Sequence, residues 1–269
     1  MTWWESLAVF GAGIAAGGIN TVVGSGTLIT FPVLLAFGYS PVTANVSNTI
    51  GLVPGSISGA IGYRRELAGQ KPRLLRLGLA SLIGGIIGAI LLLTLPDGAF
   101  KAIVPGLIVL ALVLVVLQPR LAKRIAARRA GATADSADSA AGDGSAEQAR
   151  TPRHGGAVLW GAVLATGIYG GYFGAAQGVL LLALFGVFIA EDLQRMNAVK
   201  NVLAAIVNGV AAILFMIVAD VAWWVVLLIA VGSVIGGQIG AKVGRKLPPT
   251  ALRAIIVVVG SIAVVRLLL

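Results

Sequence analysis

The chain has 269 residues, 58% of them hydrophobic and 11% charged, with a net charge of +10 and a mean hydropathy of +0.98. That much apolar surface exceeds what a soluble domain can bury, so lipid is the expected solvent. The lack of cysteine excludes disulfides and thiolate catalysis, the single His154 all but excludes a His-ligated metal, and basic residues scattered through short loops argue against nucleic acid as a partner.

Five apolar segments open the chain, at about 6–22, 27–38, 42–63, 74–96 and 99–117. The first has no basic leader and is followed by many more spans, so it is expected to be retained and not cleaved as a signal peptide. Residues 118–156 are different in kind. They carry Arg120, Lys123, Arg124, Arg128 and Arg129, then an Ala/Ser/Asp/Gly run, then Arg150 and Arg153. Such a stretch cannot bury a core and is expected to be a cytoplasmic low-complexity linker, its basic start continuing a helix out of the membrane along the headgroups. Five further apolar segments follow, at about 157–174, 178–190, 198–219, 221–241 and 250–268. The expected organisation is therefore a transmembrane repeat over 1–117, the linker over 118–156, and a second repeat over 157–269.

The two parts repeat each other. Ser81 to Ala89 reads SLIGGIIGA, and Ser233 to Ala241 reads SVIGGQIGA. Leu95-Pro96 recurs as Leu247-Pro248. An apolar chain that repeats itself once is the layout of a secondary transporter, whose two halves enclose one site. The second segment of each half is short. Thirteen residues of helix cover only about 20 Å of a core about 30 Å thick, so these are either tilted helices or re-entrant hairpins. Charge favours five crossings per half. With that count, Arg64, Arg65, Lys71, Arg73 and Arg76 share one side with the linker, with Arg195 and Lys200, and with Lys242, Arg245 and Lys246. That side is expected to be cytoplasmic. An odd number per half makes the repeats inverted and puts both termini outside. The fold class is thus an all-α membrane protein of two inverted repeats, eight to ten hydrophobic segments in total, with short broken or re-entrant helices in each half.

Glycines spaced four apart, such as Gly13/Gly17, Gly84/Gly88 and Gly236/Gly240, are expected to let helices approach closely. Trp3, Trp4, Trp160, Trp223 and Trp224 at segment ends read as interfacial anchors. Chemistry is expected where helix breakers meet polar groups at membrane depth. One such place is Asn20 to Thr27, with Gly24, Ser25 and Gly26; its counterpart is Gly174 to Gly178, with Gln177. A half-helix starting there points free N–H groups and a positive dipole end inward, which suits an anion. The bland alternative is a tight turn whose polar groups only satisfy the backbone. The third segments carry a second pair: Asn45, Ser47 and Asn48 in one half, Asn197, Lys200 and Asn201 in the other. Amides inside a membrane either pair between helices or hold something. Lys200 either draws an anion to the inner mouth or snorkels to the headgroups. Gln238, standing in an apolar run, is a pore-lining candidate. No carboxylate falls mid-segment and no phosphate-binding loop is present, so neither a buried proton-carrying acid nor ATP drive is expected.

These residues resemble the sulfite exporter TauE/SafE family of bacterial membrane proteins. The resemblance lies in Gly17-Gly18 through Gly24-Ser25-Gly26, Phe31-Pro32-Val33-Leu34-Leu35, Gly38-Tyr39-Ser40-Pro41 and Ala44 to Thr49, echoed by Gly170 to Gly174 and the stretch through Asn201. It implies a carrier of small sulfur-containing anions such as sulfite or organosulfonates. It departs from the family at Ser47-Asn48 and Lys200-Asn201, where a Thr-Ser pair is common, and at Ala175-Ala176, where glycines are expected. The expectation is an alternating-access transporter in the bacterial inner membrane, with no enzyme activity and no cofactor. Its substrate would be held by Ser25, Gly26, Thr27, Asn45, Asn48, Gln177, Gly178, Asn197, Lys200 and Asn201. Expected partners are a small anionic substrate and the lipid bilayer, with no nucleic acid and room for a homodimer. A passive anion channel and a non-transporting membrane scaffold are the alternatives.

Overall fold

The structure is a computed structural model that describes residues 1–139, 156–189, 191–243 and 249–268. All regular elements among them are helices: α1 (Trp3–Val22), α2 (Thr27–Ala36), α3 (Pro41–Gly62), α4 (Lys71–Thr94), α5 (Asp97–Ser139), α6 (Ala157–Tyr172), α7 (Gln177–Phe188), α8 (Leu193–Val218), α9 (Trp223–Val243) and α10 (Pro249–Leu268). Helix starts follow from local chemistry. Thr2 and Glu5 form a reciprocal capping box at α1, Ser40 caps α3 ahead of Pro41, and Asp192 caps α8 by accepting from the Gln194 N–H at 2.9 Å. The helix α5 runs on to Ser139, so the basic start of the expected linker is helical. The rest of that linker, 140–155, lies outside the described residues, as do Arg245 and Lys246.

Among the described residues, four stretches are long and apolar enough to cross a bilayer: Lys71–Thr94, Gly98–Arg120, Leu193–Val218 and Trp223–Val243. The chain is thus a multi-pass membrane protein. The helices α1 and α3 are as long, at 20 and 22 residues, but richer in glycine and polar groups, as suits helices enclosed by others. At 10 and 12 residues, α2 and α7 are short, as the sequence predicts. A helix of that length rises only about 15–18 Å, half the hydrocarbon core.

Large apolar side chains such as Leu79, Ile90, Val113 and Ile217 point outward, while Asn45, Asn48, Lys200 and Ser233 are buried. In lipid, apolar surface gives helices no reason to associate, so contact must come from close packing and hydrogen bonds. The longest seams run α1 against α9 and α4 against α6. Both depend on glycine: a Cβ on Gly236 would collide with the Ile14 carbonyl, and one on Gly88 with the Ile168 carbonyl. Next in extent, α3 packs on α9 and α8 on α4, with α3 and α8 touching at the centre. The short α2 rests on α1, α3 and α10; the short α7 rests on α6, α8 and α5. Phe31 of α2 meets Phe173 edge-on at 5.3 Å between ring centroids, with Phe100 of α5 beside them.

At one end of the bundle the α3–α4 loop is tied to the α7–α8 connection. Glu191 receives Arg73 at 3.3 Å and Arg195 at 2.7 Å. Arg195 also donates to the Ala68 carbonyl at 3.1 Å, and Gln70 donates to the Arg195 carbonyl at 3.1 Å. Arg73 is buried although charged.

Candidate functional site

The site is built around two chain breaks. The α1 helix ends where the N–H groups of Val23 and Gly24 both donate to the Ile19 carbonyl, at 2.7 and 3.0 Å. The α6 helix ends identically: Phe173 and Gly174 both donate to the Tyr169 carbonyl, at 2.9 and 3.1 Å. Each ending turns the chain through a left-handed glycine, Gly24 with φ +87° and Gly174 with φ +77°. A short helix then begins, α2 after Gly26 and α7 after Ala176, itself left-handed at φ 59°.

The two breaks touch. The Gly178 N–H donates to the Gly24 carbonyl at 3.1 Å. A Cβ on either residue would fall on the other's backbone, so both positions admit only glycine at this separation. The N-termini of α2 and α7 are thereby brought together deep in the bundle, and neither has a side-chain cap, in contrast to α1, α3 and α8. Most of their first N–H groups are already taken by backbone: Gln177 and Val179 donate to Gly174 and Ala176 at 3.3 and 3.0 Å, and Leu28 and Ile29 to Ser25 and Gly26 at 3.2 and 2.9 Å, so what these starts chiefly present is their positive dipole ends. Beside them lie Ser25 Oγ and Gln177 Nε2, both buried and without a hydrogen-bond partner among the described residues.

A break also strands carbonyls at the end of the preceding helix. The amides of the long central helices take these up across the molecule. From α8, Lys200 Nζ donates to the carbonyls of Asn20 and Thr21 at 3.0 Å each, and Asn197 and Asn201 each donate to Thr21 at 3.3 Å. From α3, Asn45 donates to the Tyr172 carbonyl at 3.0 Å, closing the end of α6. Asn45 Oδ1 and Asn197 Oδ1 have no partner among the described residues.

The predicted residues therefore divide. Ser25, Gly26, Gln177 and Gly178 lie at the junction of the breaks, while Asn45, Asn197, Lys200 and Asn201 brace the helix ends beside it. Asn48 and Thr27 bond to each other at 3.3 Å, and the Asn48 carbonyl accepts from Thr30. Lys200 is fully buried, away from any headgroup, and its stem passes Gly178. Gln238, the pore-lining candidate, donates to the Ser58 carbonyl at 3.0 Å and hydroxyl at 2.9 Å and so ties α9 to α3. Thr30 and Ser56 were not singled out from sequence, and Asn20 was named only as the start of the first break. Thr30 stands one turn after Thr27, a spacing that marks it for the same partner. Asn20 and Asn208 both donate to the Ser56 hydroxyl, at 3.3 and 3.4 Å. No cluster of metal-ligating side chains occurs among the described residues.

These bonds predict different responses to substitution. Asn48→Leu removes a buried amide together with its bonds to Thr27 and Thr30. It should cost about 1–2 kcal/mol, read as a lower Tm of the purified protein, since Thr30 can still donate to the Gly26 carbonyl at 3.4 Å. An unchanged Tm would show that the Asn48 bonds carry no stability.

A model of the family described as Sulfite exporter TauE/SafE matches residues 9–267. Among curated proteins, the chain is similar to the "probable membrane transporter protein YfcA" of Escherichia coli strain K12. The two are 25% identical over 97% of this chain and 88% of that protein. It is likewise 25% identical to the "probable membrane transporter protein ORF9" of a Sinorhizobium species, over 97% of this chain and 91% of that one. A "probable membrane transporter protein" of Haemophilus influenzae is 23% identical over 93% and 89%. No solved structure matches the chain.

Proposed function

The chain belongs to the sulfite exporter TauE/SafE family of membrane transporters, and from that premise we propose that it carries a small sulfur-containing oxyanion, such as sulfite or an organosulfonate, by alternating access. The anion is held where α2 and α7 begin. One observation carries this: two uncapped helix N-termini meet at Gly24 and Gly178, flanked by the unpartnered Ser25 Oγ and Gln177 Nε2. Buried side-chain donors with nothing to donate to, set beside two positive helix ends, are what an oxyanion requires. A scaffold would have its buried polar groups paired.

The packing supports two inverted repeats. Exchanging α1–α5 for α6–α10 turns the α1–α9 seam into α6–α4, the α3–α9 contact into α8–α4, and α2–α10 into α7–α5, all of which occur. The amides follow the same rule. Asn45 closes the end of the second half's first helix, and Asn197 closes that of the first half. Two equivalent halves around one central site suit a carrier that opens to either side in turn. The basic α3–α4 loop and the linker would face the cytoplasm from the bacterial inner membrane.

The test is counterflow of labelled sulfite in proteoliposomes, with competing anions. Saturable exchange is expected, whereas a passive channel would show no counterflow. Ser25→Ala and Gln177→Met should each lower exchange about 10-fold or more while leaving Tm unchanged or raised, because neither group bonds to protein. If both variants exchange like the parent protein, the site lies elsewhere.

A further inference from the structure

The repeat is broken at one chemically decisive place. Counting 152 residues on from Asn48 leads to Lys200, so one half has a neutral amide where the other has an amine. Lys200 is fully buried, and its Nζ rests on the carbonyls of Asn20 and Thr21. Its stem runs against Gly178, where the two breaks meet. No carboxylate is paired with it among the described residues. The surrounding helices offer none: α2, α3, α6 and α7 contain no charged residue, and α1 has only Glu5 in its first turn. On α4 the charges are Lys71, Arg73 and Arg76 at its start, and the acids near the start of α8 are Asp192, spent on the helix cap, and Glu191, bound to Arg73 and Arg195.

A buried ammonium without a counter-charge is costly. The carbonyl end of α1 offsets part of that cost, since a helix C-terminus carries only about half a negative charge. The remainder is left for the cargo. Resting on the anion site proposed above, we infer that Lys200 sets the charge of what is carried: a singly charged oxyanion completes a neutral set in the bundle, and a dianion is refused. A sulfonate head or a singly protonated sulfite qualifies; sulfate does not. A second negative charge would stay uncompensated in a low-dielectric interior.

The test uses the full chain in proteoliposomes exchanging labelled sulfite. Methanesulfonate, a monoanion of nearly the same shape as sulfate, should compete at concentrations about 100-fold lower than sulfate does. Dimethyl sulfone, its neutral analogue, should not compete. Lys200→Arg keeps the charge and should keep the preference even if the rate falls. Lys200→Gln should bring the two anions within about 3-fold of each other. Equal competition by sulfate and methanesulfonate on the unaltered protein overturns the charge rule even if neither variant folds, and leaves the transport reading intact. Absence of any exchange by folded protein overturns both.

Discussion

Replacing Gly24 with valine is expected to abolish transport and most of the recovery of folded protein. Two costs combine there. At φ +87° a side chain pays the left-handed backbone penalty, about 1–2 kcal/mol. The new Cβ also falls on the backbone of Gly178, so the two breaks must separate and their hydrogen bond is lost. Together these should exceed about 3 kcal/mol, at the severe end for one substitution. Gly38 supplies the control, because it has φ +85° but open space where a Cβ would go. Gly38→Ala should lower Tm by the backbone term alone, whereas Gly24→Ala should lower it by much more. Equal losses would mean that the contact between the breaks is not tight, and the central placement of the two helix starts would fail with it.

Glu191→Gln should produce the second large effect. Its carboxylate, in the α7–α8 connection, takes Arg73 from the first turn of α4 and Arg195 from the first turn of α8, so one group ties the two halves at a single end. Removing it leaves the buried Arg73 without its carboxylate. Losing one partner of a fully buried pair costs about 3–5 kcal/mol. Glu191 is one-quarter exposed, so roughly 2 kcal/mol is the expected loss after solvent screening. On the alternating-access reading proposed above, the same tie would hold that end closed. Because the chain lacks cysteine, Ser25→Cys provides a unique reporter at the junction. Maleimide applied from the side bearing Arg73 should label it several-fold faster when Glu191 is glutamine. No change in either Tm or labelling would show that these loops are not fastened through Glu191.

The helices were legible because lipid imposes a simple pattern: long apolar runs, broken by glycine and polar residues. The run boundaries at Val22, Gly62, Tyr172 and Val218 fall within a few residues of the expected ones. The shortness of α2 and α7 was legible for the same reason. The partners of the polar groups were not. Lys200 was read either as drawing an anion to the inner mouth or as snorkelling to the headgroups; it is fully buried, because the turn at Gly24 frees carbonyls that this donor, about 180 residues away in sequence, takes up. Asn48 was read as part of a shared site, yet its hydrogen bonds go to α2, through Thr27 and Thr30. Periodicity says which face of a helix is polar; it does not say which carbonyl on another helix that face will meet.

The seams between the halves also govern how the molecule can be made. The first helix to leave the ribosome, α1, finds its main partner in α9, which begins only at Trp223. At 5–20 residues per second, α1 waits roughly 10–40 s in the bilayer with its glycine-lined face unmatched. Likewise α4 has no partner until α6 has been inserted. Neither half can therefore complete its packing alone, and a nascent chain stopped in the linker keeps only the smaller contacts of α1, α2, α3 and α5 with one another. Biogenesis is completed by a late docking step between distant parts, and membrane proteases have until then to act on any chain in which that docking fails.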